Sequence, residues 1–234
     1  MTSIDVTLNV TTTDVNIRRM SKTQDASTPP PGRAYRGTSA DQRRDERRLK
    51  LIDAGIKVIG RDGYRATTVR SVSAEAGLTE RYFYEAFGDR EALLGAVYSH
   101  LVEQLQQQIA ATLMTSRLTN PEEIVRLGLH EFFAALRADP NVARILLFEV
   151  LGVSPEVTRL TQTAIDDFAR IIRTMALALS VRIEPQEEQM LTAGLVGSVV
   201  FIAMTWSLQG YAQPIDDVVA SALTIFRAVL TARS

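Results

Sequence analysis

Thr68-Val-Arg-Ser-Val-Ser-Ala-Glu-Ala-Gly77-Leu-Thr-Glu-Arg-Tyr-Phe-Tyr-Glu-Ala-Phe87 carries two short apolar patterns on either side of one glycine. Val69, Val72 and Ala76 are spaced for the inner face of one helix, and Leu78 and Phe83 pin a second against it. Thr68 and Thr79 stand where each helix needs an N-cap. Ser73 is small enough for two helices to cross closely, and Gly77 supplies the positive φ that a tight turn between them requires. The stretch reads as a helix-turn-helix.

Outward from it the same grammar continues. Leu49, Ile52, Ile56 and Ile59 repeat at intervals of three, four and three behind Arg43, Arg44, Arg47 and Arg48, which gives an amphipathic helix beginning near Ser39 and ending at Gly60 or Gly63. Gly88-Asp89 closes the second short helix and starts a long one through Leu93, Val97, Leu101 and Leu105. Pro121, Pro155, Pro185 and Pro214 are each followed by carboxylates, which suit the positive first turn of a helix whose first residue has no amide proton to leave unpaired. Asn120 and Ser154 are placed to cap two of these helices, and Asp139-Pro140-Asn141 reads as a turn. After the first forty residues no stretch alternates as a strand does, so the expected class is all-α with about nine helices.

Composition narrows the function. There is no cysteine, and the two histidines, His100 and His130, stand far apart, so disulfides, thiolate or histidine-rich metal sites and a cysteine nucleophile are excluded and a reducing cytoplasm is expected. No phosphate loop, nucleophile elbow or paired-carboxylate face is visible, and an enzyme is not expected. Ile4, Val6, Leu8 and Val10 alternate with polar residues and precede Arg18 and Arg19, which is not the order of a secretory signal. Residues 1–38, rich in Thr, Ser and Pro, read as a disordered arm; 39–95 as the helix-turn-helix domain; 96–234 as a larger helical domain. Between 18 and 94 there are sixteen Lys or Arg against eleven Asp or Glu, whereas 95–234 carry ten against fourteen. A basic module joined to a mildly acidic one suits a polyanion partner for the first.

The wider stretch carries a resemblance. Gly63-Tyr64-Arg65-Ala66-Thr67-Thr68-Val69-Arg70, Ala76-Gly77-Leu78-Thr79 and Tyr82-Phe83-Tyr84-Glu85-Ala86-Phe87-Gly88-Asp89-Arg90-Glu91-Ala92-Leu93-Leu94 resemble the N-terminal DNA-binding region of the TetR family of transcriptional regulators, over about Asp45 to Val97. The resemblance implies a homodimer that binds palindromic double-stranded operator DNA, usually represses, and lets go when a small-molecule effector enters the C-terminal domain, with no cofactor and no metal. Tyr84 and Arg90 match the family's phosphate-contacting tyrosine and basic residue. Glu85 and Ala86 depart from it.

Physical roles stand beside that likeness. Thr68 at a helix start offers a hydroxyl and amides to a phosphate, and Arg70 reaches a base edge or a second phosphate. Thr79, Arg81 and Tyr82 project from the first turn of the second helix, where a recognition helix enters the major groove, and Arg81 can fork onto guanine. Glu80 accepts from cytosine or orients Arg81. Arg33, Arg36, Arg43, Arg44, Arg47 and Arg48 form a basic arm suited to a minor groove or to phosphates.

In the C-terminal half no charged residue occurs for the 27 positions between Glu188 and Asp216, and Met190 to Leu208 is long enough to cross a bilayer. Thr192, Ser198, Thr205, Ser207 and Gln209 and the acidic flanks favour a buried interface helix, so no membrane partner is expected. Ala193, Gly194 and Gly197, with Val218, Ala222, Ile225 and Val229 of the last helix, form the expected dimerisation surface. Phe132, Phe133, Phe148, Phe168, Met175, Met204 and Trp206 are the expected lining for a hydrophobic or planar effector. The alternatives are a helical interaction protein of this fold without sequence-specific DNA binding, and an activator. Deleting residues 1–38 is expected to leave the helical part folded and to lower operator affinity at moderate salt; unchanged affinity across a salt titration removes the arm from the interface.

Overall fold

Ser39 starts the first helix with a reciprocal cap. Its hydroxyl accepts from the Gln42 amide at 3.1 Å, and its own amide donates to the Gln42 side-chain oxygen at 2.8 Å. The structure, a computed structural model, describes the backbone of residues 39–178 and 185–231 and the side chains of 39–173 and 189–228. The expectations for the arm, for Met175 and for Val229 lie outside the described residues.

The helices are α1 (Ala40–Asp62), α2 (Val69–Glu75), α3 (Glu80–Ala86), α4 (Arg90–Thr115), α5 (Pro121–Ala138), α6 (Pro140–Arg144), α7 (Pro155–Ala178), α8 (Pro185–Leu208) and α9 (Ile215–Thr231), and α6 runs on as a π-helical stretch, Ile145–Glu149. No strand occurs among the described residues, and the all-α reading holds. Pro121, Pro155 and Pro185 are first residues of their helices, whereas Pro214 stands one position ahead of α9. Asn120 accepts from the Glu122 and Glu123 amides, Asp139 from those of Asn141 and Val142, Asp89 from that of Ala92 and Ser154 from that of Val157. Gly77 has φ +65°, the turn conformation its position between α2 and α3 demands.

Gly60 does something other than end a helix. It lies inside α1, which runs to Asp62, and a Cβ added there would stand 2.4 Å from the Asn141 Cβ. Its missing side chain lets α6 lie against α1. That approach is locked by a polar tie. Arg144 Nη1 donates to the carbonyls of Gly60 at 3.2 Å and Arg61 at 3.0 Å, its Nε donates to Glu149 Oε1 at 2.7 Å, and the Tyr64 amide donates to Glu149 Oε2 at 2.7 Å. Residues five apart on an α-helix point about 140° away from each other. The π stretch, whose turn closes five residues on, brings Arg144 and Glu149 to one side.

Two apolar cores result. One joins Leu51, Ile59, Val72, Phe83, Leu93 and Val97 to Ile145, Val150 and Val157. The other gathers Phe133, Leu136, Leu147, Trp206, Val218 and Ala222. The expected boundary between residues 95 and 96 falls inside α4, and the first core takes side chains from both sides of it. Trp206 is held edge-on to Phe133 and Tyr211, and its indole N–H donates to the Gln213 carbonyl at 3.0 Å. Gln189–Leu208 is apolar and long enough to span a membrane, with a mean hydropathy of 1.8. In this fold one side of it, through Leu195, Val199, Ala203 and Trp206, is buried in the second core.

Gly60→Ala tests the α1–α6 approach. The substitution gains up to about 1 kcal/mol of helix propensity, yet the clash with Asn141 is expected to outweigh it and lower the melting temperature. The double variant with Asn141→Gly is expected to recover most of the loss in thermal unfolding followed by circular dichroism.

Candidate nucleic-acid interface and cavity

The helix-turn-helix presents α3 at the surface while its inner side is fixed. Phe83 is fully buried and meets Phe87 and Tyr84. Thr79 precedes α3 without a capping bond from its hydroxyl, and Thr79, Glu80, Arg81 and Tyr84 are exposed. Tyr82 is half-buried because the Arg47 guanidinium lies over its ring at 4.6 Å. Arg81, with a side chain 83% exposed, donates through Nε to Glu85 Oε1 at 2.8 Å. Of the two roles read for Glu80, accepting from cytosine or orienting Arg81, the second falls to Glu85, one turn on. A departure from the family pattern thereby acquires a structural partner.

The four arginines expected as arm contacts belong to α1. Arg43 and Arg44 are exposed on its first turns. Arg47 covers Tyr82, and Arg48 lies over the Phe87 ring at 4.4 Å while its Nη1 donates to the Ala86 carbonyl at 3.0 Å. Two of the four are thus spent on seating α3. Arg33 and Arg36 lie outside the described residues.

At α2, Thr68 forms a reciprocal cap with Ser71, each amide donating to the other's hydroxyl at 3.0 Å. Its hydroxyl is therefore engaged, though the residue is exposed, and Arg70 beside it is exposed. Arg90 is half-buried: it donates to the Thr67 carbonyl and lies over the Tyr64 ring at 5.6 Å. Its guanidinium holds the turn that leads into α2, so a phosphate would have to share it with that carbonyl. Neither Arg48 nor Arg90 was legible as a tie, since the atoms they hold are 38 and 23 residues away.

A cavity of about 280 Å³ lies among α4, α5, the π stretch, α7 and α8. Phe132, Phe168 and Met204 line it as expected from sequence. Phe133, Phe148 and Trp206 do not: Phe133 and Trp206 are buried against each other, and Phe148 packs at the edge of the second core. No charged side chain lines it among the described residues. Tyr98, next to Val97 on α4 and not marked by the helical spacing, lines it too.

On α8, Met190, Gly194, Gly197, Phe201 and Leu208 recur at intervals of four, three, four and seven, and all are exposed, Phe201 at 70% and Leu208 at 76%. Ala193 is half-buried at the margin of this stripe. On α9, Ile225 is exposed, whereas Val218 and Ala222 are buried inside the chain's own second core and do not reach the surface. The helical period that placed all three on one stripe does not by itself say which side faces inward.

Known proteins agree with this geometry. Residues 51–97 match the family model described as bacterial regulatory proteins, tetR family. The nicotine-responsive transcriptional repressor HdnoR of Paenarthrobacter nicotinovorans is 26% identical over 73% of this chain and 87% of its own length. The transcriptional regulator BetI of Brucella anthropi is 33% identical over 48% of this chain, which spans only 58% of that relative. Among solved structures, FadR of Bacillus subtilis in complex with stearoyl-CoA superposes with a TM-score of 0.66 at 17% identity, over 76% of this chain and 96% of that one, a likeness of fold.

Replacing Arg90 by Ala removes a charged hydrogen bond to a backbone carbonyl. It is expected to cost about 1–2 kcal/mol in urea unfolding and to speed amide exchange at Thr67 to Val72, with the helices of the C-terminal half unaffected.

Proposed function

We propose that this chain, a member of the tetR family of bacterial regulatory proteins, is a cytoplasmic homodimeric repressor that holds a palindromic operator through two copies of α3 and releases it when an apolar effector fills the cavity between α4, α5 and α7. The observation that carries the reading is the exposed first turn of α3. Thr79, Glu80 and Arg81 stand clear of the body there, at the place in a helix-turn-helix that meets base edges. With its Nε taken by Glu85, Arg81 keeps its two terminal nitrogens for a guanine edge. Arg70, Tyr84, Arg43 and Arg44 are exposed around it and suit phosphates.

Two copies are needed because one three-helix unit contacts too few base pairs to choose a site, and half-sites spaced by a helical turn need a fixed pair of readers. The α8 stripe supports this. Phe201 and Leu208 are large apolar side chains held in the open, and nothing lies within 4 Å of where a Cβ would stand at Gly194 or Gly197, so a second α8 can approach closely between them.

The effector reading rests on the cavity's chemistry. HdnoR is named for nicotine, a basic amine, and the FadR structure holds an acyl-CoA thioester. Among the described residues the lining holds no carboxylate, which gives an ammonium ion no partner, and burying it unpaired is unfavourable. The effector of this chain is accordingly uncharged where it is enclosed. Among the described residues no cluster of His, Asp or Glu could hold a metal ion, and the regulator reading assigns the site no catalytic group.

The test is to sequence DNA fragments retained by the full chain from a genomic library. A shared inverted repeat is expected. Arg81→Ala should weaken binding by about 1–3 kcal/mol and relax one base position per half-site, and Phe201→Asp should yield a monomer in light scattering with greatly reduced affinity. Retention without any enriched sequence would turn the reading toward a helical interaction protein, and enrichment with raised transcription toward an activator.

A further inference from the structure

The cavity is long in one direction. Tyr98, Val102, Leu105, Ile109 and Leu113 line it at intervals of four, three, four and four along α4. Its wall therefore follows about 22 Å of that helix, for a volume of only about 280 Å³. A lining that runs so far along one helix suits an unbranched chain laid beside it.

Two of its lining side chains among the described residues carry an oxygen, Tyr98 and Thr161. The Thr161 hydroxyl is already spent on the Thr158 carbonyl, at 2.8 Å. Tyr98 is only 8% exposed, its hydroxyl has no hydrogen-bond partner among the described residues, and its oxygen is not sealed off from open space. A buried phenol ordinarily finds an acceptor, because leaving it unmade forfeits the interaction with water for nothing. Burial also pushes this phenol up to about 12, so it remains a neutral donor throughout the physiological range.

We propose that the cavity takes an elongated, unbranched, uncharged molecule bearing one oxygen acceptor, such as a ketone or ester, and that this oxygen accepts a hydrogen bond from the Tyr98 hydroxyl. The inference rests on the reading of this cavity as the effector site and names the chemistry that the site selects. The apolar walls supply affinity without direction, and Tyr98 fixes which end of the chain lies where. That end is the one beside Val150, at the foot of the π stretch, because Tyr98 belongs with Ile145 and Val150 to the first core.

The test uses the full chain, with binding read from the ligand-induced rise in melting temperature. 2-Nonanone is expected to bind wild type roughly three- to tenfold more tightly than nonane, the fold-change one neutral hydrogen bond gives. Tyr98→Phe, which only deletes the oxygen, should bind nonane as wild type does and should lose the preference for the ketone. Leu105→Trp, placed midway along the slot, should weaken 2-nonanone far more than 2-pentanone. The proposal is overturned if Tyr98→Phe keeps the ketone preference, or if nonylammonium or 2-adamantanone binds wild type more tightly than 2-nonanone. Ketone binding that depends on Tyr98 but leaves a retained DNA fragment bound would support the ligand chemistry and refute the effector role.

Discussion

The carbonyl end of α1 has to be satisfied by something, and the way this chain does it ties its two halves together. Gly60 and Arg61 would leave their carbonyl oxygens unpaired at the helix terminus, and the Arg144 guanidinium accepts that task from more than eighty residues away. Glu149 completes the joint by receiving the Tyr64 amide and the other edge of Arg144. Neither residue alone would serve: a half-buried arginine without Glu149 carries an uncompensated charge, and Glu149 without Arg144 sits as a lone carboxylate beside a helix end whose dipole repels it. Both depend on Gly60, since any Cβ there would push α6 away from the carbonyls that Arg144 must reach.

That joint has a second dependency, the π stretch. An ordinary α-helical register through Ile145–Glu149 would swing Glu149 well away from the side on which Arg144 lies, and the Tyr64 amide would lose its acceptor. The same five residues place Leu146 and Leu147 in the cavity wall. Side chains that touch the cavity, Leu146 and Leu147, and one that holds α1, Glu149, thus belong to one π-helical turn. The helix-turn-helix is connected to the rest by α4 as well, since Leu93 and Val97 pack under α1 while Val102 to Leu113 line the cavity. α1 is thus tied at its end and packed on α4, which runs through both cores, and α3 is seated on α1 through Arg47 and Arg48.

Local chemistry made much of this legible from the sequence. Caps are read within three or four residues of themselves, so Thr68, Asn120 and Ser154 were legible, as was the positive φ at Gly77, although Thr79, read the same way, makes no capping bond. Ties across the fold were not legible. Arg48, Arg90 and Arg144 look like any other surface arginine in a chain rich in them, and only the folded arrangement shows which carbonyl each one finds. The aromatic residues illustrate the same limit. Phe132 and Phe133 are neighbours in sequence, yet Phe132 faces the cavity and Phe133 is closed against Trp206, because one step along a helix turns a side chain by about 100°. Val218 and Ala222 went astray for a related reason: an amphipathic period identifies a stripe, but the acidic start of α9 gives no information about whether that stripe meets its own chain or another.

The contrast between the cavity and the second core shows why one space is left open. Trp206 is enclosed by edge-on rings, and its N–H has a carbonyl, so every requirement of that large side chain is met within the chain. Around the cavity the walls are equally apolar, but Tyr98 leaves a donor without an acceptor, and the long side chains of α4, α5 and α7 stop short of one another. A fold maximising its own stability would close such a gap with a larger residue at Gly128 or Ala164, both of which line it, since apolar surface left unpacked forfeits dispersion contacts on every side. The small residues at those positions keep the slot open, and the unfilled space is therefore a standing cost that a matching occupant removes. On the proposed reading, binding energy gained there would act on α4, which lines the slot and also packs under α1, the helix that seats α3.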